Sequence, residues 1–448
     1  MAQHDAVHLF AATAPLSKSL HGAGLSALDI KQCMPPTAAG PHTGSAARDS
    51  IASLSVPPPL DEARWVAHID RTQVLGTGQF STVCRGTLTA VSESSGDARQ
   101  VACAVKIPHE NNLDARELAL VEAAVLSQLG AQEAVVRCYG LVDLEAADGA
   151  GNYAVRPWAE VGALAVAGTG GRWALVLELC EGGTCWEWMQ ANRTLMGAEL
   201  FFRWARQLAL ALAAMESVSV AHKDIKGHNM LIDDNCDIRL ADFTATEFSA
   251  DALVSAQAVC PSFRPLDFPA YTDFSATIPY SSPEALAALT LTKPRTSLNK
   301  MDVYSAGVTL YTLFVSGVEP FAAVKSSVEQ MLLASRGAFW EWEDRQYLVE
   351  LPNRAETAPS SPTELVPQSG GGPMGLARTM SLSRRRTLKS RAKAPREYKR
   401  FLSGEPLSKD VEALLADMTN PDPAMRPDAA EILHRLNTME PDMFEPMD

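Results

Sequence analysis

Between His222 and Thr244 the chain reads His-Lys-Asp-Ile-Lys-Gly-His-Asn-Met-Leu-Ile, then Asp-Asp-Asn-Cys-Asp-Ile-Arg-Leu-Ala, then Asp-Phe-Thr. This spacing sets a carboxylate at Asp224, an ammonium at Lys226, an amide at Asn229 and a second carboxylate at Asp242 on two loops flanking a short hairpin. Such a set suits metal-assisted phosphoryl transfer. A transferring phosphoryl group offers a protein little covalent chemistry to assist, so catalysis is mostly positioning and charge neutralisation. One carboxylate orients the attacking hydroxyl, while an amide and a second carboxylate hold the magnesium ions that bridge the phosphates. Any one of these residues alone would be a solvated loop residue, and it is their joint spacing that carries the reading.

The stretch resembles the catalytic loop and metal-binding aspartate of the eukaryotic protein kinases. The resemblance implies an α+β, bilobal fold with a small β-rich N-lobe, a larger helical C-lobe and ATP between them. It further implies that Asp224 orients the substrate hydroxyl and Lys226 neutralises the γ-phosphate. Asn229 and Asp242 would ligate Mg2+, and Leu231 would floor the adenine pocket.

The elements that must position these residues lie on both sides. Upstream, Val74 to Val83 reads Val-Leu-Gly-Thr-Gly-Gln-Phe-Ser-Thr-Val. Gly76 and Gly78 allow the backbone to close over phosphates and offer its N–H groups, with Leu75 and Val83 as a roof for adenine. The family's third glycine is Ser81 here, and a lone G-x-G is ordinarily a hairpin turn. The strand Val101-Ala102-Cys103-Ala104-Val105-Lys106 resembles the family's Val-Ala-Ile-Lys, which implies Ala104 against the base and Lys106 on the α- and β-phosphates. Lys106 then needs an acidic partner. Residues 114–129 have helical apolar spacing, with Leu118, Val121, Val125, Leu126 and Leu129 on one broad face, and they carry both Glu117 and Glu122. The family pattern, counted back from Leu126 and Leu129, selects Glu122 and leaves Glu117 as the alternative. Trp173 to Gly183 resembles the hinge between lobes, which implies Leu177 as gatekeeper and the backbone of Glu178 and Cys180 as adenine contacts.

Downstream, Ala198 to Ser217 reads as a long buried helix that delivers the chain to His222. The loop from Asp242 to Glu284 resembles an activation segment, closing on Thr277-Ile278-Pro279-Tyr280-Ser281-Ser282-Pro283-Glu284. Arg426 is a candidate buried partner for Glu284, and Asp302 matches the family's aspartate that caps the catalytic-loop backbone. The expected organisation is a disordered tail at 1–60, a kinase domain at 61–437 and a tail at 438–448. Its N-lobe spans 61–180 and its C-lobe 181–437, with inserts at 144–171 and 352–406. No chemistry is assigned to the first insert. The second turns basic over 378–400 against only Glu397, and reads as a solvated, disordered loop with some regulatory phosphorylation. A regulatory partner and a nuclear-localisation signal are its functional alternatives.

Composition narrows the classes further. With 46% hydrophobic and 21% charged residues the chain has the material for a large core. A net charge of −14 argues against broad nucleic-acid binding. No apolar run approaches the length of about 18 residues that suggests a membrane span, so no membrane partner is expected. The eight cysteines form no C-x-x-C pair and no finger-like spacing with histidine, which suggests a reduced, cytoplasmic setting, or a nuclear one if the basic insert is an address.

Two departures from the family pattern bear on activity. Lys223 replaces the arginine that commonly grips an activation-loop phosphate, and lysine cannot make the planar bidentate contact. Weaker dependence on that phosphorylation is expected. Thr244 replaces the glycine after Asp242-Phe243, and a β-branched residue should restrict flipping of the aspartate. His228 stands where kinases that seek arginine often carry an acid, so nothing supports a basic substrate motif. Lys226 and Thr277 favour the serine/threonine branch, and Asp-Ile-Lys-Gly-x-Asn resembles kinases that activate MAP-kinase cascades. The reading is a serine/threonine kinase that uses ATP and Mg2+ on a protein substrate. Its rivals are a pseudokinase that binds or scaffolds, and a small-molecule or lipid kinase on the same fold.

Overall fold

The computed structural model describes residues 63–92, 98–110, 112–166, 171–249, 277–288, 298–344 and 399–439. The tail 1–60, activation-segment residues 250–276 and the basic run 378–398 lie outside the described residues. Strands dominate the first part: β1 (Ala63–Thr77), β2 (Ser81–Ser92) and β3 (Ala98–Pro108), then helix α1 (Leu113–Leu129), β4 (Cys138–Asp143), β5 (Asn152–Arg156), helix α2 (Trp158–Val166) and β6 (Trp173–Glu178). They close into an antiparallel barrel in the order β1-β2-β3-β6-β4-β5.

Alternation along β3 and β6 divides their side chains between two environments, as the period of two in a strand requires. Cys103, Val105, Ala174 and Val176 fill the barrel interior beside Ala67, Leu88 and Val142. Ala104, Leu175 and Leu177 face the other way, into the main core that contains α1. Lys106, one residue beyond Val105, therefore leaves the barrel on the α1 side. Each fully buried leucine among these contributes about 1.5–3 kcal/mol relative to exposure.

The region 144–171, larger than a hairpin connection needs, supplies β5 and α2. β5 pairs with β1 through Val66–Ala154 and with β4 through Val142–Val155, and so closes the barrel. Gly140 makes room for this crossing: its φ is +138°, and a Cβ there would meet the Arg156 carbonyl oxygen at 2.6 Å. α2 brings the buried Trp158 and Val161 into the core shared with α1. Sequence spacing predicts one broad apolar face for α1, yet every residue from Val121 to Leu126 is buried. α1 is enclosed by the barrel strands on one side and by α2 on another. Its ends are set by Asn112, whose side chain accepts from the Ala115 N–H, and by Gly130 at φ +63°.

The remainder is mostly helical: α3 (Cys185–Ala191), α4 (Ala198–Ser217), short strands β7 (Val220–Ala221), β8 (Met230–Ile232), β9 (Ile238–Leu240) and β10 (Glu247–Phe248), then α5 (Pro283–Ala288), α6 (Leu298–Tyr311), α7 (Ser327–Ser335), α8 (Lys409–Met418) and α9 (Ala429–Met439). α4 carries a fully buried Trp204 whose indole N–H donates to the Cys236 carbonyl at 3.0 Å, tying the helix to the turn between β8 and β9. Residues 399–406, which composition assigns to the basic insert, are part of this packed half. Phe401 and Leu407 are each 2% exposed. Lys399 lies over the Trp340 ring at 4.1 Å and bonds to Asp344, on the near side of the undescribed stretch.

Arg426 is 2% exposed and grips Glu284 with both terminal nitrogens, at 2.5 and 2.9 Å. It also donates to the carbonyls of Asn420 and Lys300, each at 2.7 Å, and stacks over Tyr304. Removing one partner of such a pair leaves the other charge without its counterion, at a cost of about 3–5 kcal/mol. Arg426→Ala should lower unfolding free energy by about that amount in urea titrations. Arg426→Lys should recover only part of it, because an ammonium cannot fork across a carboxylate.

Candidate active site

Lys106 is the centre of the site. Its ammonium lies 2.6 Å from Glu122 Oε2 and 2.9 Å from Asp242 Oδ1, joining β3, α1 and the loop after β9. Glu122 is 0% exposed and its second oxygen accepts the Phe243 N–H at 3.2 Å, whereas Glu117 is exposed. Burial opposes the charge on Lys106, but Asp242 and Glu122 outweigh it and hold the ammonium above its ordinary pKa. Burial likewise raises the Glu122 carboxyl, with Lys106 opposing. For Asp242 burial acts upward too, yet Lys106 and the Thr244 hydroxyl reverse it and leave the carboxylate well below its ordinary range. Asp242 is enclosed by these groups while its side chain stays 44% open toward the cleft.

The Asp224 loop and the Asp242 loop are both built on strained backbone. Lys223 has φ +69° and Asp242 φ +65°, left-handed values that non-glycine residues seldom adopt. Asp302, buried on α6, holds the first of these places by accepting the N–H groups of His222 at 2.6 Å and Lys223 at 2.9 Å. The His222 ring accepts the Asp224 N–H at Nδ1, so Nε2 carries the proton and donates to the Ala241 carbonyl at 3.1 Å. It packs on Phe243 with 4.6 Å between ring centres. One imidazole thus links the Asp224 loop to the Asp242 loop.

Asp224 is 9% exposed. Its Oδ2 accepts from Lys226 Nζ and Asn229 Nδ2, each at 2.8 Å. Its Oδ1 accepts from the Thr277 N–H at 3.1 Å and the Thr277 hydroxyl at 2.7 Å, and Lys226 reaches the same hydroxyl at 2.7 Å. Thr277, valued in the sequence only as a marker of substrate class, is a direct neighbour of both catalytic-loop charges. Lys223 turns away from this cluster and meets Glu247 on β10 at 3.2 Å. Glu247 carried no signal in the sequence, because its position depends on β10 pairing with β7.

The residues expected to face the nucleotide lie on the barrel strands and on β8. Gly76 pairs with Val83 across the β1–β2 hairpin, and the Gly78 N–H donates to the Ser81 carbonyl at 2.9 Å. Leu75, Val83 and Leu231 are partly buried against the main core, and Ala104 pairs with Leu177 between β3 and β6. The Glu178 N–H is taken by the Arg137 carbonyl at 2.8 Å. Cys180, beyond the end of β6, has an N–H that donates to no backbone group among the described residues.

The donor set fits magnesium. Asn229 spends its amide nitrogen on Asp224, leaving its side-chain oxygen as the available ligand, and among the described residues Asp242 has only Oδ1 engaged. Magnesium takes hard oxygen ligands and is commonly held by one or two carboxylates together with substrate phosphates. Asn229 and Asp242 offer that chemistry.

A strand barrel whose lysine pairs with a helix glutamate stands beside a helical half that carries Asp224 and Asp242, and this combination belongs to one family. A family profile described as protein kinase domain matches residues 69–436, and the chain belongs to that family. It is similar to testis-specific serine/threonine-protein kinase 4 of Homo sapiens, 32% identical over 146 residues that cover 32% of this chain and 42% of the relative. CBL-interacting protein kinase 22 of Oryza sativa subsp. japonica is 36% identical over 152 residues, 33% of this chain and 30% of the relative. A calcium/calmodulin-dependent serine/threonine-protein kinase of Malus domestica is 31% identical over 175 residues, 37% of this chain and 35% of the relative. The chain spans less than half the length of each of these relatives.

His228 borders the cleft, stacked on Trp186 at 5.1 Å and 3.7 Å from Glu319. Burial, aided by Lys226, pushes its pKa down to about 4, and Glu187 and Asp224 oppose this without cancelling it. The imidazole is therefore neutral at neutral pH and its contact with Glu319 is not an ion pair. In the unfolded chain the same ring protonates near 6.5, so the unfolded state binds the extra proton first and stability falls as pH drops from 6.5 toward 4. Burial raises the Glu319 carboxyl, which acts with the opposite sign and is present in both proteins compared. His228→Gln should lose less stability than the wild type between about pH 7 and pH 5, measured by urea denaturation at each. Equal losses would mean that His228 titrates alike folded and unfolded.

Proposed function

We propose that the chain transfers the γ-phosphoryl group of ATP to serine or threonine hydroxyls of a protein substrate. One observation carries this reading: Lys106, Glu122 and Asp242 meet through a single ammonium at the cleft where Asp224, Lys226 and Asn229 also converge. Adenine sits between Leu75, Val83 and Ala104 above and Leu231 below, with Leu177 at its back and the backbone of Glu178 and Cys180 at its edge. Lys106 holds the α- and β-phosphates, and the Gly76–Gly78 backbone covers them. Magnesium, bound through Asn229 and Asp242, supplies charge neutralisation at the phosphates. Asp224 orients the incoming hydroxyl and accepts its proton, taking the place at Oδ1 that the Thr277 hydroxyl occupies. Lys226 balances charge on the transferring group.

The Lys223–Glu247 ion pair supports a further part of the reading. Glu247 gives Lys223 a carboxylate from within the chain, so activity does not wait on a phosphate in the activation segment. Phosphatase treatment should leave the transfer rate unchanged, and loss of transfer would overturn this part.

The decisive test is magnesium-dependent transfer of labelled phosphate to generic protein substrates by the wild type and by Asp224→Ala. Transfer to serine and threonine that drops by a factor of about a thousand or more in the variant is expected, the scale of losing oriented proton transfer in a preorganised site. Equal and negligible transfer by both, with nucleotide still bound, would establish a pseudokinase. Phosphorylation of lipid or small-molecule hydroxyls in place of protein would establish the other rival.

A further inference from the structure

Asp242 carries two demands that its own geometry does not meet. Its backbone sits at φ +65°, and the terminal torsion of an aspartate is broad, so a single contact leaves the carboxylate free to pivot. Lys106 provides one contact, at Oδ1. The second comes from two residues along the chain: the Thr244 hydroxyl donates to the same oxygen at 2.8 Å. Two donors on Oδ1, one from β3 and one from the residue two further along the chain, fix the carboxylate plane. Oδ2 accepts no hydrogen bond among the described residues, and the side chain is 44% exposed. A glycine at this position has no hydroxyl to offer.

We propose that Thr244 is a positioning residue that holds Asp242 with Oδ2 presented to the magnesium–nucleotide complex. This rests on the proposed phosphoryl-transfer function and adds to it a residue that acts through Asp242. The hydroxyl does the positioning. The β-branch, which restricts the backbone, is separable from it by substitution: Thr244→Val keeps the branch and removes the hydroxyl, Thr244→Ser keeps the hydroxyl and removes the branch, and Thr244→Gly removes both.

The readout is the increment in ADP affinity that magnesium confers, measured by calorimetry as the ratio of dissociation constants in EDTA and in magnesium. Val and Gly variants should lose roughly tenfold of this increment, the size of one hydrogen bond to a charged group, while Ser retains it. Affinity in EDTA should be unchanged in all of them, which also reports that the cleft is folded. A Val variant with the full increment, or a Ser variant as impaired as Gly, would overturn the proposal in favour of backbone restriction. A wild type that transfers phosphate but whose ADP affinity is indifferent to magnesium would overturn it while leaving the proposed function standing. Failure of the Asp224→Ala comparison would remove the function itself.

Discussion

Everything in the site depends on one buried ammonium. Lys106 is 16 positions from Glu122 and 136 from Asp242, and it brings them together from a strand, a helix and a loop. Burying a charge is costly unless it is paired and its hydrogen bonds are met, and here each carboxylate answers to the same cation. The arrangement constrains the fold in turn. β3 must hold its register so that Val105 enters the barrel and Lys106 leaves it, and α1 must be rotated so that the buried Glu122 faces β3. The α2 cover over α1 reinforces that rotation, because an enclosed helix cannot turn without exposing apolar side chains.

The helical half provides a matching rigidity around strained backbone. Asp302 reaches from α6 to two consecutive N–H groups at the residue with φ +69°, and His222 carries the constraint onward to the Asp242 loop. Sparsely populated backbone geometry persists only where its surroundings over-determine it. Buried Asp302, His222 and Phe243 are that surrounding, and the forked Arg426–Glu284 pair secures the far end of the same half.

The polar cluster was legible because spacing alone distinguishes Asp224, Lys226, Asn229 and Asp242 from scattered loop polars, and the structure joins the first three through Asp224 and the last to Lys106. Helix 198–217 was legible to the residue, since its polar residues are few and the run from Leu208 to Met215 is wholly apolar. The choice between Glu117 and Glu122 needed burial, which sequence does not display, and the family pattern only selected one. Composition concealed the region 144–171: a five-residue strand such as Asn152–Arg156 has little local signal and exists because β1 and β4 pair with it. Similarly, the basic run ahead of residue 399 masked the apolar anchor Phe401. The contacts of Thr277 and Glu247 were illegible because they join segments far apart in the chain.

Closure of the barrel by β5 has a consequence for how this half of the protein meets others. Sheet edges present unpaired N–H and C=O groups on which another chain can lay down a strand, the basis both of β-augmentation and of edge-to-edge aggregation. In the order β1-β2-β3-β6-β4-β5, with β5 returning to β1, each strand of the barrel has a neighbour on both sides. Where β5 pairs with β1 at Val66–His68 and with β4 at Leu141–Val142, a partner's strand cannot add to those edges and must be recognised there by side chains.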